Sequence, residues 1–181
     1  MIRIGICGTH CSGKSTLVDD LTGALHLPVI KEVAGMFSEP QRQQYVNQYR
    51  IVKAQIAAEE ARPEFISDRT VFDNWAYLNY YMDRCNDPGM AEKVAQMAWD
   101  DILKHVITNP YTHVVFINEY FPLEDDGNRN LNPGTQKFIF EFLRDRMQPF
   151  STFFCIPILF LAGNREHRRD KILNWIGQPA Q

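Results

Sequence analysis

The sequence predicts an α/β fold in three layers, with a five-stranded parallel sheet covered by helices on both faces. Three observations predict it. Strand-like and helix-like segments alternate along the chain. The strand-like runs are apolar almost throughout, as strands buried on both faces must be. The segments between them are long enough for the crossovers that parallel neighbours need, and such crossovers are right-handed. The 181 residues suit one domain, 1–181, with a full hydrophobic core.

The elements follow in order. "IRIGIC" (2–7) reads as a buried strand, and Lys14 to Leu25 as a helix with Leu17, Leu21, Ala24 and Leu25 on its apolar side. "LPVIKE" (27–32) is a second strand, and Gln41 to Ala61, free of Gly and Pro, a long helix. "EFISD" (64–68) is a short strand ending on a carboxylate. Helices at 73–83 and 90–108 are split by the turn "NDPG". "HVVFINEYF" (113–121), rich in β-branched and aromatic residues, is the most strand-like stretch. A helix at 134–147, a strand at 156–162 and a helix at 165–175 complete the series. Pro157 donates no ladder hydrogen bond, which sends the last strand to a sheet edge or puts Pro157 near its start.

The composition, 45% hydrophobic and 23% charged, is that of a globular chain and excludes disordered or fibrous classes. No apolar run approaches the roughly 18 residues of a membrane span, and the first residues lack a secretory leader pattern; a cytoplasmic protein without a membrane partner is expected. Cys7, Cys11, Cys85 and Cys155 have no metal-ligand spacing and read as free thiols. The net charge of −3 gives no general attraction to nucleic acid, although "NREHRRDK" forms a local basic cluster.

"GTHCSGKST" matches G-x-x-x-x-G-K-[ST] between a strand and a helix, the context that the phosphate-binding loop requires. Gly8, Thr9, His10, Cys11, Ser12 and Gly13 would turn backbone N–H groups around phosphate oxygens at the positive end of a helix. Lys14 would reach the β- and γ-phosphates of ATP, Ser15 would ligate Mg²⁺, and Thr16 would meet the α-phosphate. His10 and Cys11 read as spacers whose backbone matters more than their side chains. No N-K-x-D guanine-reading motif is present, and the chain is small for a motor ATPase.

"SDRT" carries the next signal. Asp68 ends a strand expected beside the loop strand, where its carboxylate can hold the Mg²⁺ shell or take a proton from an attacking hydroxyl. Arg69 supplies a planar cation for an acceptor or for the transferring phosphoryl group. The alternative is structural, a capping Asp at 68 or 73 with a surface Arg. Trp75, Tyr77, Tyr80 and Tyr81 are core candidates, one or two of which are placed to stack on an acceptor base.

With these motifs the chain resembles the P-loop nucleoside and nucleotide kinases, in particular the ribosylnicotinamide kinase domain of the bacterial NAD-biosynthesis regulator. The resemblance runs over nearly the whole length, through "GTHCSGKSTL", "VIKEVA", Gln55, "FISDRTVFDNWAY", "DDGNR" and "LAGNREHRRDKI". It implies strand order 2-3-1-4-5, an Asp68–Arg69 pair beside acceptor and metal, and Glu32 facing the acceptor. It further implies a lid at about 122–134 with Asp126, Gly127 and Arg129, and Arg168 packed on adenine, with Arg165 and Arg169 competing for that role. The loop "PLEDDGNRNLNPG" has the length and composition of a functional loop, where a lid arginine would exclude water and neutralise phosphoryl charge. The chain departs from the family in having Gly35 where an arginine is usual, and Gln136 and Lys137 where a second lid arginine is usual.

The expected function is an ATP- and Mg²⁺-dependent phosphotransferase with a nucleoside- or nucleotide-like acceptor. Lys14, Arg69 and Arg129 would stabilise the phosphoryl group, Ser15 and Asp68 organise the metal, and Asp68 or Glu32 assist deprotonation. The Asp-Arg pair also resembles that of thymidylate kinases, which leaves nucleoside and nucleotide acceptors open. A phage-type kinase of hydroxymethylated pyrimidine in DNA, which would need a basic rim, and a non-kinase NTPase or regulatory nucleotide-binding module are the alternatives. Oligomeric state has no signature in the sequence.

Overall fold

The computed structural model describes residues 1–121 and 132–177. Five parallel strands, β1 (Arg3–Cys7), β2 (Val29–Ile30), β3 (Phe65–Asp68), β4 (His113–Ile117) and β5 (Ile158–Leu161), form one sheet in the order β2-β3-β1-β4-β5. Pro157 immediately precedes β5, which is an edge strand, and its carbonyl accepts from the Val114 amide at 3.0 Å. The missing N–H therefore falls outside the ladder.

The helices are α1 (Lys14–Leu25), α2 (Glu39–Arg42), α3 (Tyr45–Glu60), α4 (Val71–Met82), α5 (Pro88–Thr108), α6 (Pro133–Phe154) and α7 (Arg165–Ile176). Side chains alternate across a strand. From β1, Ile4 and Ile6 join Leu17, Leu21, Val115 and Ile172 under α1 and α7, while Cys7 joins Phe65, Phe72, Phe116 and Leu143 under α3 to α6. The second face carries the larger core, and the aromatic stack of Phe72, Phe150 and Trp99 fills it.

The fourth strand ends at Ile117 instead of 121, and three further boundaries differ from the sequence reading for a packing or hydrogen-bonding reason. The helix expected at 41–61 is broken at Gln43–Gln44 into α2 and α3. Ser38 and Gln41 form a capping box for α2, and the Asn47 amide donates to the Gln41 carbonyl at 3.1 Å, satisfying a group that the break exposes. The helix expected to stop at Met147 runs through Pro149 to Phe154. Proline there costs one helical hydrogen bond, but Phe150 and Phe154 both pack on Phe72 and Trp99 only if the helix continues. The second strand is two residues long, because the chain enters a 3₁₀ turn at Val33–Met36.

Gly5 lies where β1 meets the start of α4. A Cβ there would stand 2.5 Å from the Thr70 methyl and 3.2 Å from the Tyr111 ring. Both neighbours are buried and held by hydrogen bonds. Gly5→Ala is expected to lower stability by about 1–3 kcal/mol through overpacking, read as a fall in the urea midpoint.

Candidate functional site

The loop from Gly8 to Gly13 leaves the C-terminal end of β1 and enters α1. Gly13 has φ +80° and is the cap residue of α1 without a side-chain cap bond. Glycine takes that conformation at no steric cost, and the first amides of α1 have no cap side chain to accept from them, an arrangement suited to an anion. At Gly8 a Cβ would sit 3.1 Å from Ser12 Oγ and 3.3 Å from Ile117 Cβ, so the loop needs glycine for close approach. The Ser12 hydroxyl donates to the Thr9 carbonyl at 2.9 Å. Cys11 takes φ +57° without being glycine.

Lys14 is buried, and its ammonium donates to the Thr9 carbonyl inside the loop. Burial, with the positive charge of Arg69 added, lowers its pKa to about 8. Ser15 lies in the first turn of α1, and its hydroxyl donates to Asp68 Oδ2 at 2.6 Å. The register explains the meeting, since Ile6 of β1 lies opposite Asp68. Asp68 Oδ1 is buried and has no hydrogen-bond partner among the described residues. A hydroxyl and one carboxylate with a spare acceptor fit Mg²⁺, which retains waters and phosphate oxygens instead of a full protein cage. Among the described residues no cluster of three or more His, Cys, Asp or Glu forms a metal site of its own. Thr16 is exposed at the start of α1.

Arg69 follows Asp68 with φ +97°. Its guanidinium is buried, with Nε 2.7 Å from Glu32 Oε1 and Nη1 3.9 Å from Asp73 Oδ1. Burial pushes the Glu32 carboxyl up, but Arg69 and Lys14 outweigh it and hold the pKa at about 2. The sequence reading of His10 as a spacer needs correction. Its ring lies 2.8 Å (Nε2) from the Tyr77 hydroxyl and 3.4 Å (Nδ1) from Arg69 Nη2, and Arg69 stands 5.2 Å over the Tyr77 ring. The loop thus touches the Asp-Arg segment by a side chain as well as by backbone. Trp75 and Tyr80 pack elsewhere, on Trp99 and Phe138.

Asp73 is the capping residue that the structural alternative named, and it does more. Its Oδ2 accepts from the Thr70 amide (2.8 Å) and hydroxyl (2.7 Å), closing a capping box on α4, and its Oδ1 accepts from the Gly8 amide at 3.0 Å. Asp68 is free of that duty.

On the opposite side of the loop, Arg168 of α7 is buried, donates to the Ser12 carbonyl at 2.8 Å, pairs with Glu119 and lies 5.1 Å over the Phe121 ring. Glu119 also accepts the Gly163 amide at 2.9 Å. Arg165 pairs with Asp20, and Arg169 with Asp170. Arg168 is therefore the arginine of that cluster that reaches the loop. Gln136, noted in the sequence only as a departure, is buried and donates to the carbonyls of His10 (3.1 Å) and Phe121 (2.8 Å). Lys137 is exposed beside Glu141, and Gly35 lies in the 3₁₀ turn with open space beside it. Asp126, Gly127 and Arg129 lie outside the described residues; of the segment 122–134, Asn132 to Gly134 form the cap and first turn of α6.

A family model described as an AAA domain matches residues 3–168. The chain belongs to that family. Among solved structures, it is similar to deoxyadenosine kinase from M. mycoides with bound dCTP, at TM-score 0.66 and 15% identity, covering 97% of this chain and 98% of that one. It is also similar to a NadR protein in complex with NAD and AMP-PNP, at TM-score 0.73 and 15% identity, covering 99% of this chain and 51% of that one, and to a NadR protein in complex with NR, at TM-score 0.69 and 17% identity over 99% and 53%. No curated protein matches the sequence. The fold is that of P-loop kinases, in the strand order expected. Among the described residues no helix is long and apolar enough to cross a membrane.

Asp73→Asn turns an N–H toward the backbone amide of either Gly8 or Thr70, which can only donate, and leaves Arg69 one carboxylate short. A loss of about 3 kcal/mol is expected in chemical denaturation, where a surface change such as Asp145→Asn leaves the midpoint in place.

Proposed function

We propose that the protein is a kinase that transfers the γ-phosphoryl group of ATP to a hydroxyl of a nucleoside-like acceptor. The observation that carries this reading is the pair of links across the end of the sheet: Ser15 to Asp68 on the donor side and Arg69 to Glu32 on the acceptor side, from adjacent residues of one strand end. Phosphoryl transfer needs positioning and charge stabilisation more than covalent chemistry, and this arrangement supplies both. The loop amides and Lys14 hold the β- and γ-phosphates. Mg²⁺, held by Ser15 and by Asp68 directly or through water, would neutralise charge on the phosphates. Arg69 stabilises the transferring group, and Arg129 from the lid segment is proposed to join it.

For proton removal Asp68 is the better candidate. Glu32, with a pKa of about 2 and an ion pair to Arg69, is a weak base and serves to aim the guanidinium. The acceptor class follows from charge. Arg69 is already matched by Glu32 and Asp73, which suits a neutral hydroxyl better than a phosphomonoester dianion. Arg165, Arg168 and Arg169 are engaged within the chain, which disfavours a DNA acceptor needing a basic rim. Arg168 and Phe121 are proposed to meet the adenine of ATP.

Incubation of γ-labelled ATP with nucleosides, nucleotides, ribosylnicotinamide and hydroxymethylated DNA tests the assignment. Label on a nucleoside hydroxyl is the expected result; label released only as free phosphate would make the protein an NTPase instead. Lys14→Ala is expected to cut transfer by at least ~100-fold. Lys14 is charged below its pKa of about 8 and neutral above it. Affinity for a nonhydrolysable ATP analogue should therefore fall as pH rises through about 8, with proton uptake on binding there in calorimetry across buffers of different ionisation enthalpy.

A further inference from the structure

Arg69, with φ +97°, is held in the left-handed backbone region that non-glycine residues rarely adopt, and the atoms that hold it lead away from the site into the core. Its amide donates to the Ile6 carbonyl at 3.0 Å. Its carbonyl lies 3.4 Å from Gln55 Nε2, which also donates to Ser67 Oγ (2.8 Å) and Glu59 Oε1 (2.7 Å). Two residues on, the Val71 amide donates to the Tyr111 hydroxyl at 3.1 Å, and that hydroxyl donates to the same Glu59 oxygen at 2.7 Å. The other Glu59 oxygen lies 2.8 Å from His105 Nε2 of α5. Gln55, Glu59, His105 and Tyr111 are all fully or almost fully buried.

A carboxylate buried in an apolar interior is costly unless its oxygens are satisfied, and an apolar residue would weld α3 to α5 equally well. What an apolar residue would not do is orient Gln55 and Tyr111, whose polar ends grip the peptide groups on both sides of Thr70. We infer that Gln55, Glu59, His105 and Tyr111 are a positioning assembly that fixes the left-handed turn at Arg69 and so aims its guanidinium between Glu32 and His10. Glu59 is the hub. None of the four is part of the reacting constellation; they act through Arg69. The inference rests on the kinase reading for its kinetic effect, but not for its structural one.

The test uses Tyr111→Phe and Glu59→Gln in the full chain, with Phe150→Leu as a control that loosens the same core without touching the assembly. Both assembly variants are expected to lower kcat by ~10- to 100-fold, the scale of a misplaced catalytic group. The Kd for a nonhydrolysable ATP analogue should stay within about twofold, because the loop keeps its own bonds. Phe150→Leu lowers the melting temperature and leaves kcat in place. Crystal structures of both variants should show Arg69 out of the left-handed region and its guanidinium withdrawn from Glu32. The inference is overturned if the variants melt earlier but keep kcat, or if Arg69 retains its backbone conformation and its contact with Glu32 in both. Should the wild-type protein transfer no phosphate to any acceptor, the kinase reading fails, and the crystal structures still decide the positioning role.

Discussion

The Arg69 amide reaches the Ile6 carbonyl at 3.0 Å, one step beyond the last paired residue of β3. That bond extends the parallel ladder between β1 and β3 into the functional segment, and most of the site depends on it. β1 delivers the loop and β3 delivers Asp68 and Arg69, so their register decides whether Ser15 can reach Asp68. A slip of one residue would turn Asp68 to the other face of the sheet, and no movement of the loop would restore the meeting. The register is secured by burial, since Ile4, Ile6 and Ile66 fill one face while Cys7 and Phe65 fill the other.

Charge at this strand end is distributed with little redundancy. Lys14 is buried close enough to Arg69 for that positive charge to lower its pKa, and Glu32, Asp68 and Asp73 are the carboxylates that offset the two cations. Each carboxylate has a separate duty. Asp73 bonds the cap of α4 and the first loop glycine, Glu32 pairs with Arg69, and Asp68 is left with Ser15 and one oxygen that has no partner among the described residues. A structure that used Asp68 as the helix cap would have no such oxygen. Thr70 and Asp73, by capping α4 themselves, leave the strand-end carboxylate to Ser15.

The alternation of strand and helix and the placing of the glycine loop beside Asp68 were legible in the sequence because they follow short-range rules: a glycine loop between strand and helix, and a carboxylate where an apolar strand ends. The sheet order, by contrast, was implied by the resemblance to P-loop kinases. The sequence was less informative wherever distant side chains decide. The break between α2 and α3 depends on Asn47 and Gln48 reaching back to carbonyls, and polar residues in a helix-like run give no period to betray it. The helix expected to end at Met147 continues through Pro149, because the aromatic packing of Phe150 and Phe154 outweighs the lost hydrogen bond. Glu119 read as part of a strand, yet it leaves the sheet to join Arg168 and Gly163. His10 lay in plain view within the motif, but its partners Tyr77 and Arg69 are brought to it only by the register of β1 and β3 and the angle of α4.

The bond from Arg168 to the Ser12 carbonyl joins positions 156 residues apart. During synthesis the glycine loop is made well before the arginine that braces it. The loop's sequence motif is local, but its finished shape is not. A ribosome-bound chain lacking α7 has the complete motif without that brace, so the glycine loop acquires its final walls only when the fold closes around it.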